Sequence, residues 1–172
     1  MINSIADQNR EQNDIYWMEQ ALQQADIGAS LGEIPVGAVV VCDGKVVGKG
    51  FNRSIHSHDA TAHAEIMALR EAGKTLGNYR LVECTLYVTL EPCPMCAGAL
   101  VHSRIKRLVY GADDKRTGCA GSLMDLLNHD GLNHQVDVTS GVLGERCSTE
   151  LSAFFKKRRA QKKAHKQQAV KS

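Results

Sequence analysis

The succession of segments in this chain predicts an α/β layered fold with a sheet that is largely parallel after an opening hairpin. Three features carry that expectation. Short runs rich in β-formers alternate with helical stripes instead of clustering at one end. Asp43-Gly44, a strong hairpin turn signal, separates the runs Ile34 to Cys42 and Lys45 to Gly50. The next strand-like runs have a helix between them, the crossover that parallel neighbours need.

Taken in order, Tyr16, Met18, Ala21, Leu22, Ala25 and Ile27 form a helical stripe, which predicts a first helix over about 14–31. The hairpin follows. Asp59 or Thr61 can cap a helix over about 62–73, ended by Gly73. Thr85 to Leu90 alternates and predicts a third strand, and Pro94 suits the first turn of a helix running to about His102. Arg107 to Gly111 predicts a fourth strand, Leu123 to Leu127 a short helical turn, and Val136 to Val142 a fifth strand. Gly144 precedes a final helix that becomes a basic tail.

At 172 residues, no repeat or linker divides the chain, which predicts one domain over 14–159 between a flexible stretch at 1–13 and a basic helix end or tail at 160–172. With 43% hydrophobic and 23% charged residues the composition is ordinarily globular, and no apolar run is long enough to span a membrane. The polar segment Met1 to Asp14 lacks a signal-peptide core, so the expected location is the cytoplasm. Six cysteines in such a chain do not make a secreted disulfide scaffold, and Cys42, Cys84, Cys119 and Cys147 are expected as core residues. Charge is divided unevenly. Residues 151–172 hold eight Lys or Arg and no acid, leaving 13 bases against 19 acids over 1–150. A basic tail on an acidic body is either a handle for a polyanion such as nucleic acid or a solvated helix, and composition leaves both open.

Cys93 and Cys96 stand apart from the other cysteines. Three residues apart at a strand-to-helix junction, they share a helix face beside N–H groups that stabilise thiolates. One Cys-x-x-Cys is weak evidence by itself, and a structural zinc ribbon would need a second, which this chain lacks. His63-Ala64-Glu65, thirty residues upstream of Cys93, also opens a predicted helix. His63, Cys93 and Cys96 give three ligands, the catalytic count for zinc, which keeps a position for water. Glu65 is then placed to move protons. His-x-Glu followed by Pro-Cys-x-x-Cys is the known signature of zinc nucleobase deaminases, and this chain matches it at every fixed position.

Longer segments, Thr61 to Arg70, Thr85 to Ala99, His102 to Ile105, Pro35 to Val39 and Gly121 to Asp125, resemble the TadA family of bacterial tRNA adenosine deaminases. The family belongs to the cytidine/deoxycytidylate deaminase-like superfamily, and the likeness runs from about Tyr16 to Arg159. The resemblance implies a three-layer α/β/α sandwich with a central five-stranded mixed sheet. It implies hydrolytic deamination of adenosine to inosine at the wobble position of a tRNA anticodon, with water activated by zinc attacking adenine C6 and Glu65 as proton shuttle. It also implies a homodimer with one zinc per subunit, its surface placed by likeness at Met67, Met95 and the helix after Pro94. Carried over by position, Asn52 contacts adenine, Val36 and Leu90 line the base pocket, and the Ala64 backbone helps hold the ring. Asp114 approaches the RNA backbone, while Phe155 and Arg159 belong to a C-terminal element closing over the anticodon loop. Asn128-His129-Asp130-Gly131, Ala153 and the first dozen residues depart from the family pattern.

From the residues alone, Asn52 reads as a turn asparagine that could pair with a purine edge, Asp114 as a turn residue and Phe154 as a core aromatic. Phe154-Phe155 before four bases interleaves stacking with phosphate contact. Two other functions share the zinc motif: deamination of a free base or nucleotide of the guanine or cytosine type, and a non-enzymatic zinc module binding RNA through its tail. The second leaves Glu65 without a role and requires a fourth protein ligand.

Overall fold

The computed structural model describes residues 5–171, in the order α1 (Ile5–Ser30), β1 (Gly37–Cys42), β2 (Lys45–Phe51), α2 (Ser54–Ser57), α3 (Ala64–Leu76), β3 (Thr85–Leu90), α4 (Pro94–His102), β4 (Arg107–Ala112), β5 (Asp137–Thr139) and α5 (Gly144–Lys171). These strands form one five-stranded sheet in the order β2-β1-β3-β4-β5. β1 pairs antiparallel with β2 and with β3, whereas β3, β4 and β5 run parallel. The hairpin turns at Asp43 and Gly44, both at positive φ (48° and 68°), as a two-residue type I′ turn requires.

Successive strand residues point to opposite faces, and both faces are covered. Ala38, Val40, Leu86, Val88, Leu108 and Tyr110 pack with Ala64, Ala68 and Ala72 of α3 and Ala97, Leu100 and Val101 of α4. Val39, Val41, Tyr87 and Val109 face the other way, onto Met18, Ala21 and Leu22 of α1 and Cys147 of α5. The architecture is therefore the expected three-layer sandwich with a mixed sheet. On one side the layers approach very closely: a Cβ added at Gly48 would lie 2.3 Å from the Ala68 carbonyl oxygen, and one at Gly50 2.5 Å from that of Ala64. Glycines in β2 facing alanines in α3 let this helix lie directly on the strand, which fixes where its N-terminus arrives.

Several boundaries differ from the sequence expectation. The first helix begins at Ile5, nine residues before the expected start at about residue 14. Of the stretch expected to be flexible over 1–13, residues 1–4 lie outside the described residues. α3 is not capped by Asp59 or Thr61. Asp59 instead accepts bonds from the Thr61 N–H (2.8 Å) and hydroxyl (2.7 Å), and His63 is the N-cap residue. The helix runs through Gly73 to a left-handed cap at Gly77, because packing on β2 outweighs the cost of about 1 kcal/mol for a helical glycine. Leu123 to Leu127 forms no helical turn; this segment returns on itself with an antiparallel bridge between Ala120 and Asp125. The last strand is shorter than Val136 to Val142. All six cysteines are free, and Cys84, Cys119 and Cys147 are buried as expected while Cys42 is half-buried.

A buried ion pair ties α1 to the sheet. Asp14 accepts from both Arg107 terminal nitrogens (2.8 and 2.7 Å) and from the Tyr87 hydroxyl (3.0 Å). Burial and the Asp14 charge push the Tyr87 phenol well above its usual range. No helix among the described residues is long and apolar enough to cross a membrane.

Candidate active site and metal centre

The parallel strands β3 and β4 end on the same edge of the sheet, and ligands of open α/β sheets bind outside that edge. There β3 passes through Glu91-Pro92 into α4, with Cys93 at the N-cap and Pro94 in the first turn. Its fixed φ and missing N–H suit that position. α3 starts beside it, with His63 at its own N-cap. Two helix N-termini therefore converge, and their dipoles favour anionic groups between them.

The donor atoms of His63, Cys93 and Cys96 lie within 4.8 Å of one another. The His63 Nδ1 is 3.6 Å from each sulfur. Tetrahedral zinc, with bonds of about 2.3 Å to sulfur and about 2.0–2.1 Å to nitrogen, spaces such a nitrogen–sulfur pair about 3.6 Å apart. One imidazole and two sulfurs at this separation thus fit zinc, one donor short of its usual four. Without a cation, the Cys96 thiol and His63 share their protons with Cys93. That pulls Cys93 down to about 4, against the effect of burial. The same shared proton pushes Cys96 far above its usual value, with burial and the neighbouring Glu65 adding to it. A dication replaces those protons.

Glu65, one residue into α3, is buried, and burial raises its carboxyl to about 7. Asn52, just past β2 and 8% exposed, accepts the Ala64 N–H through Oδ1 at 2.8 Å. It caps α3 from a distance, which explains why no residue next to the helix does so. Its amide nitrogen makes no hydrogen bond among the described residues.

These side chains open onto a cavity of about 680 Å³, within the range of small-molecule sites. The structure brings to its wall Val36, Asn52, His63, Glu65, Leu90, Cys93, Asp114, Phe155 and Arg159, all named from sequence. Two expected residues stand behind it: Cys96, fully buried, reaches the site through its sulfur, and Ala64 has its N–H committed to Asn52. Phe155 is 38% exposed at the mouth, edge-on to Phe154 with centroids 5.7 Å apart. The Arg158 guanidinium lies over the ring of the half-buried Phe154.

Glu91, Lys115, Arg116 and Thr117 also line the cavity and were not anticipated. Glu91 is 2% exposed, and its carboxylate accepts the N–H groups of Asp114 (2.9 Å), Ala120 (3.0 Å) and Ser122 (3.0 Å) and the Ser122 hydroxyl. It gathers the loop after β4 against the metal side. Gly118 is required there, since a Cβ would sit 2.4 Å from this carboxylate and 2.5 Å from the Asp114 carbonyl oxygen. Asp114 accepts the N–H groups of Arg116 and Thr117 and the Thr117 hydroxyl. Burial pushes its carboxyl up, but these bonds outweigh it and hold the group below the usual range. The visible signal for Lys115-Arg116 was a dibasic pair three residues beyond the end of β4; for Glu91, it was an acid beside the Pro-Cys turn.

The sandwich and its three-donor centre are those of a deaminase class: residues 11–112 match the cytidine and deoxycytidylate deaminase zinc-binding region. Within that class, the chain is 56% identical to the tRNA-specific adenosine deaminase of Haemophilus influenzae, covering 91% of both chains. It is 48% identical to that of Bacillus subtilis, covering 89% of this chain and 94% of the relative. A solved structure from a study of A-to-I editing by tRNA:A34 deaminases superposes with a TM-score of 0.76 at 41% identity, covering 78% of this chain and 98% of the other. The chain belongs to the tRNA-specific adenosine deaminase family.

Proposed function

We propose that this protein is a zinc-dependent deaminase that hydrolyses adenosine to inosine at the wobble position of a tRNA anticodon. The observation that carries this reading is the His63–Cys93–Cys96 cluster beside buried Glu65, on a cavity whose rim is cationic and aromatic. The relatives bearing the tRNA-specific name, and the A-to-I editing structure, support adenosine in tRNA over a free base.

His63, Cys93 and Cys96 hold the metal, one ion per subunit. Zinc in this donor set supplies a Lewis acid that makes water nucleophilic near neutral pH. Glu65 would take one proton from the attacking water and deliver it to the ring nitrogen beside adenine C6. It would then take the remaining proton of the new C6 hydroxyl and pass it to the amine, which leaves as ammonia as the C6 carbonyl forms. Val36 and Leu90 form the apolar walls for the base. Asn52, held by the Ala64 N–H, directs its amide nitrogen to an acceptor on the purine edge. Asp114 shapes the loop that meets the RNA backbone, Phe155 stacks on a neighbouring base, and Arg159, Lys115 and Arg116 meet phosphates. A second copy pairs across the outer sides of α3 and α4, where Met67 and Met95 are half-buried and a groove lined by Leu69, Tyr79 and Ala99 lies open. The setting is the cytoplasm, where this substrate is found.

The test is incubation with total tRNA and, separately, with free adenosine, guanine and cytidine. Inosine should appear at the wobble position of tRNA with the free compounds untouched. Turnover of a free compound while tRNA remains unchanged would overturn the reading.

A further inference from the structure

We propose that the distal half of α5 is a docking face for the RNA backbone, carrying recognition beyond the anticodon loop onto the phosphates of the adjoining stem. This rests on the tRNA reading above and adds a surface to it. The first turns of α5 pack on the sheet through Cys147, which lies against Gly111. Beyond them, every residue from Phe155 to Ala169 is exposed. A helix that is polar on all sides buries nothing of its own fold, so its composition answers to solvent or to a charged partner.

The charges on it are arranged with respect to the cavity. At about 100° per residue, Leu151, Phe155, Arg159, Lys162 and Lys166 fall within a sector of about 80°. The first three of these line the cavity. Lys162 and Lys166 therefore continue the active-site face outward, with Lys166 about 16 Å along the axis from Phe155. No acid occurs over 151–172 to neutralise the row. Lys156 and Lys157 point about 100° and 160° away from the centre of this sector.

A cation row that begins at the cavity mouth and leads away from it suits a polymer of regularly spaced negative charge with one unit inserted in the site. A free nucleoside could not reach it. A membrane surface would ask for an apolar stripe along the helix, and beyond Phe155 the described side chains offer only alanines. Duplex RNA next to a loop presents phosphates in this manner, recognised by charge and shape more than by sequence.

The experiment compares Lys162→Gln/Lys166→Gln with Lys156→Gln/Lys157→Gln, which remove equal charge from different faces. Binding to an anticodon stem-loop and to a loop-only oligonucleotide is measured by fluorescence anisotropy over a salt series, alongside single-turnover rates. The 162/166 pair should weaken stem-loop binding about tenfold and reduce the salt slope by about 1.5, the share of two phosphate contacts. Its loop-only binding and its rate at saturation should be unchanged, and the 156/157 pair should change stem-loop binding by no more than about twofold. Equal weakening by both pairs, no weakening by either, or equal loss on the loop-only RNA would overturn the proposal. If the wild-type protein forms no inosine in tRNA, the activity reading fails instead, and the contrast between the pairs still reports on the helix face.

Discussion

The inner wall of the cavity and its rim are neighbours, yet they are built differently. The wall is made where α3 and α4 begin; both helices are packed against the sheet, and its polar side chains face the cavity with few groups of the protein around them. Glu65 is buried with a carboxyl raised to about 7, and Asn52 keeps an amide nitrogen unspent. The rim is the loop after β4 and the exposed length of α5. There Glu91, just as buried, is saturated by four donors, and Asp114 by three. A buried carboxyl raised toward neutrality is suited to exchanging a proton, whereas a carboxylate surrounded by donors holds shape. In the proposed mechanism, two glutamates in one cavity thus take opposite roles because of what surrounds them.

Four substitutions can break or sharpen that contrast. Cys93→Ala should lose both the metal and activity, measured as zinc per chain by elemental analysis together with inosine formation; a variant with full zinc content would refute the donor set. Glu65→Ala should keep about one zinc per chain while turnover falls about 10⁴-fold, the upper end for a group moving protons at several steps. If zinc left with it, Glu65 would be a ligand and the division between wall residues would need redrawing. Glu91→Ala strands three loop N–H groups that can partly rehydrate, so we expect a loss of about 2–4 kcal/mol in thermal unfolding with zinc retained. Because that loop carries Asp114, KM for tRNA should rise more than kcat falls, and an unaltered melting temperature would remove Glu91 from its organising role. Phe155→Ala, at the rim, should raise KM about 5- to 150-fold, the worth of one base-stacking contact of about 1–3 kcal/mol, with kcat nearly constant. A fall in kcat alone would place Phe155 in the wall's chemistry.

Legibility in the sequence followed the same division. His63, Glu65, Cys93 and Cys96 stood out because metal chemistry demands particular residue types at helical spacing, and short spacings survive folding. β3, α4 and the hairpin were visible for a similar reason: Thr85 to Leu90, Pro94 and Asp43-Gly44 encode their conformations locally. The cap of α3 was not visible. Asp59 and Thr61 carry the usual capping chemistry, but Asn52 accepts the helix N–H from beyond the end of β2. The segment from Leu123 to Leu127 failed as a helical turn because Glu91, about thirty residues earlier, dictates the path of Ala120 and Ser122.

The sequence by itself determined the alternation of strands and helices and picked out the proposed metal donors and proton carrier, because each depends on residue identity over a few positions. The tertiary structure decided how these meet. Gly48 and Gly50 set the depth of α3 against β2, Asn52 joins two elements, and Glu91 folds the rim onto the wall. It also decided that Phe155 and Arg159 face the cavity while Lys156 and Lys157 turn away. Those outcomes depend on close contacts between residues far apart in the chain, and such contacts exist only once the sheet has assembled.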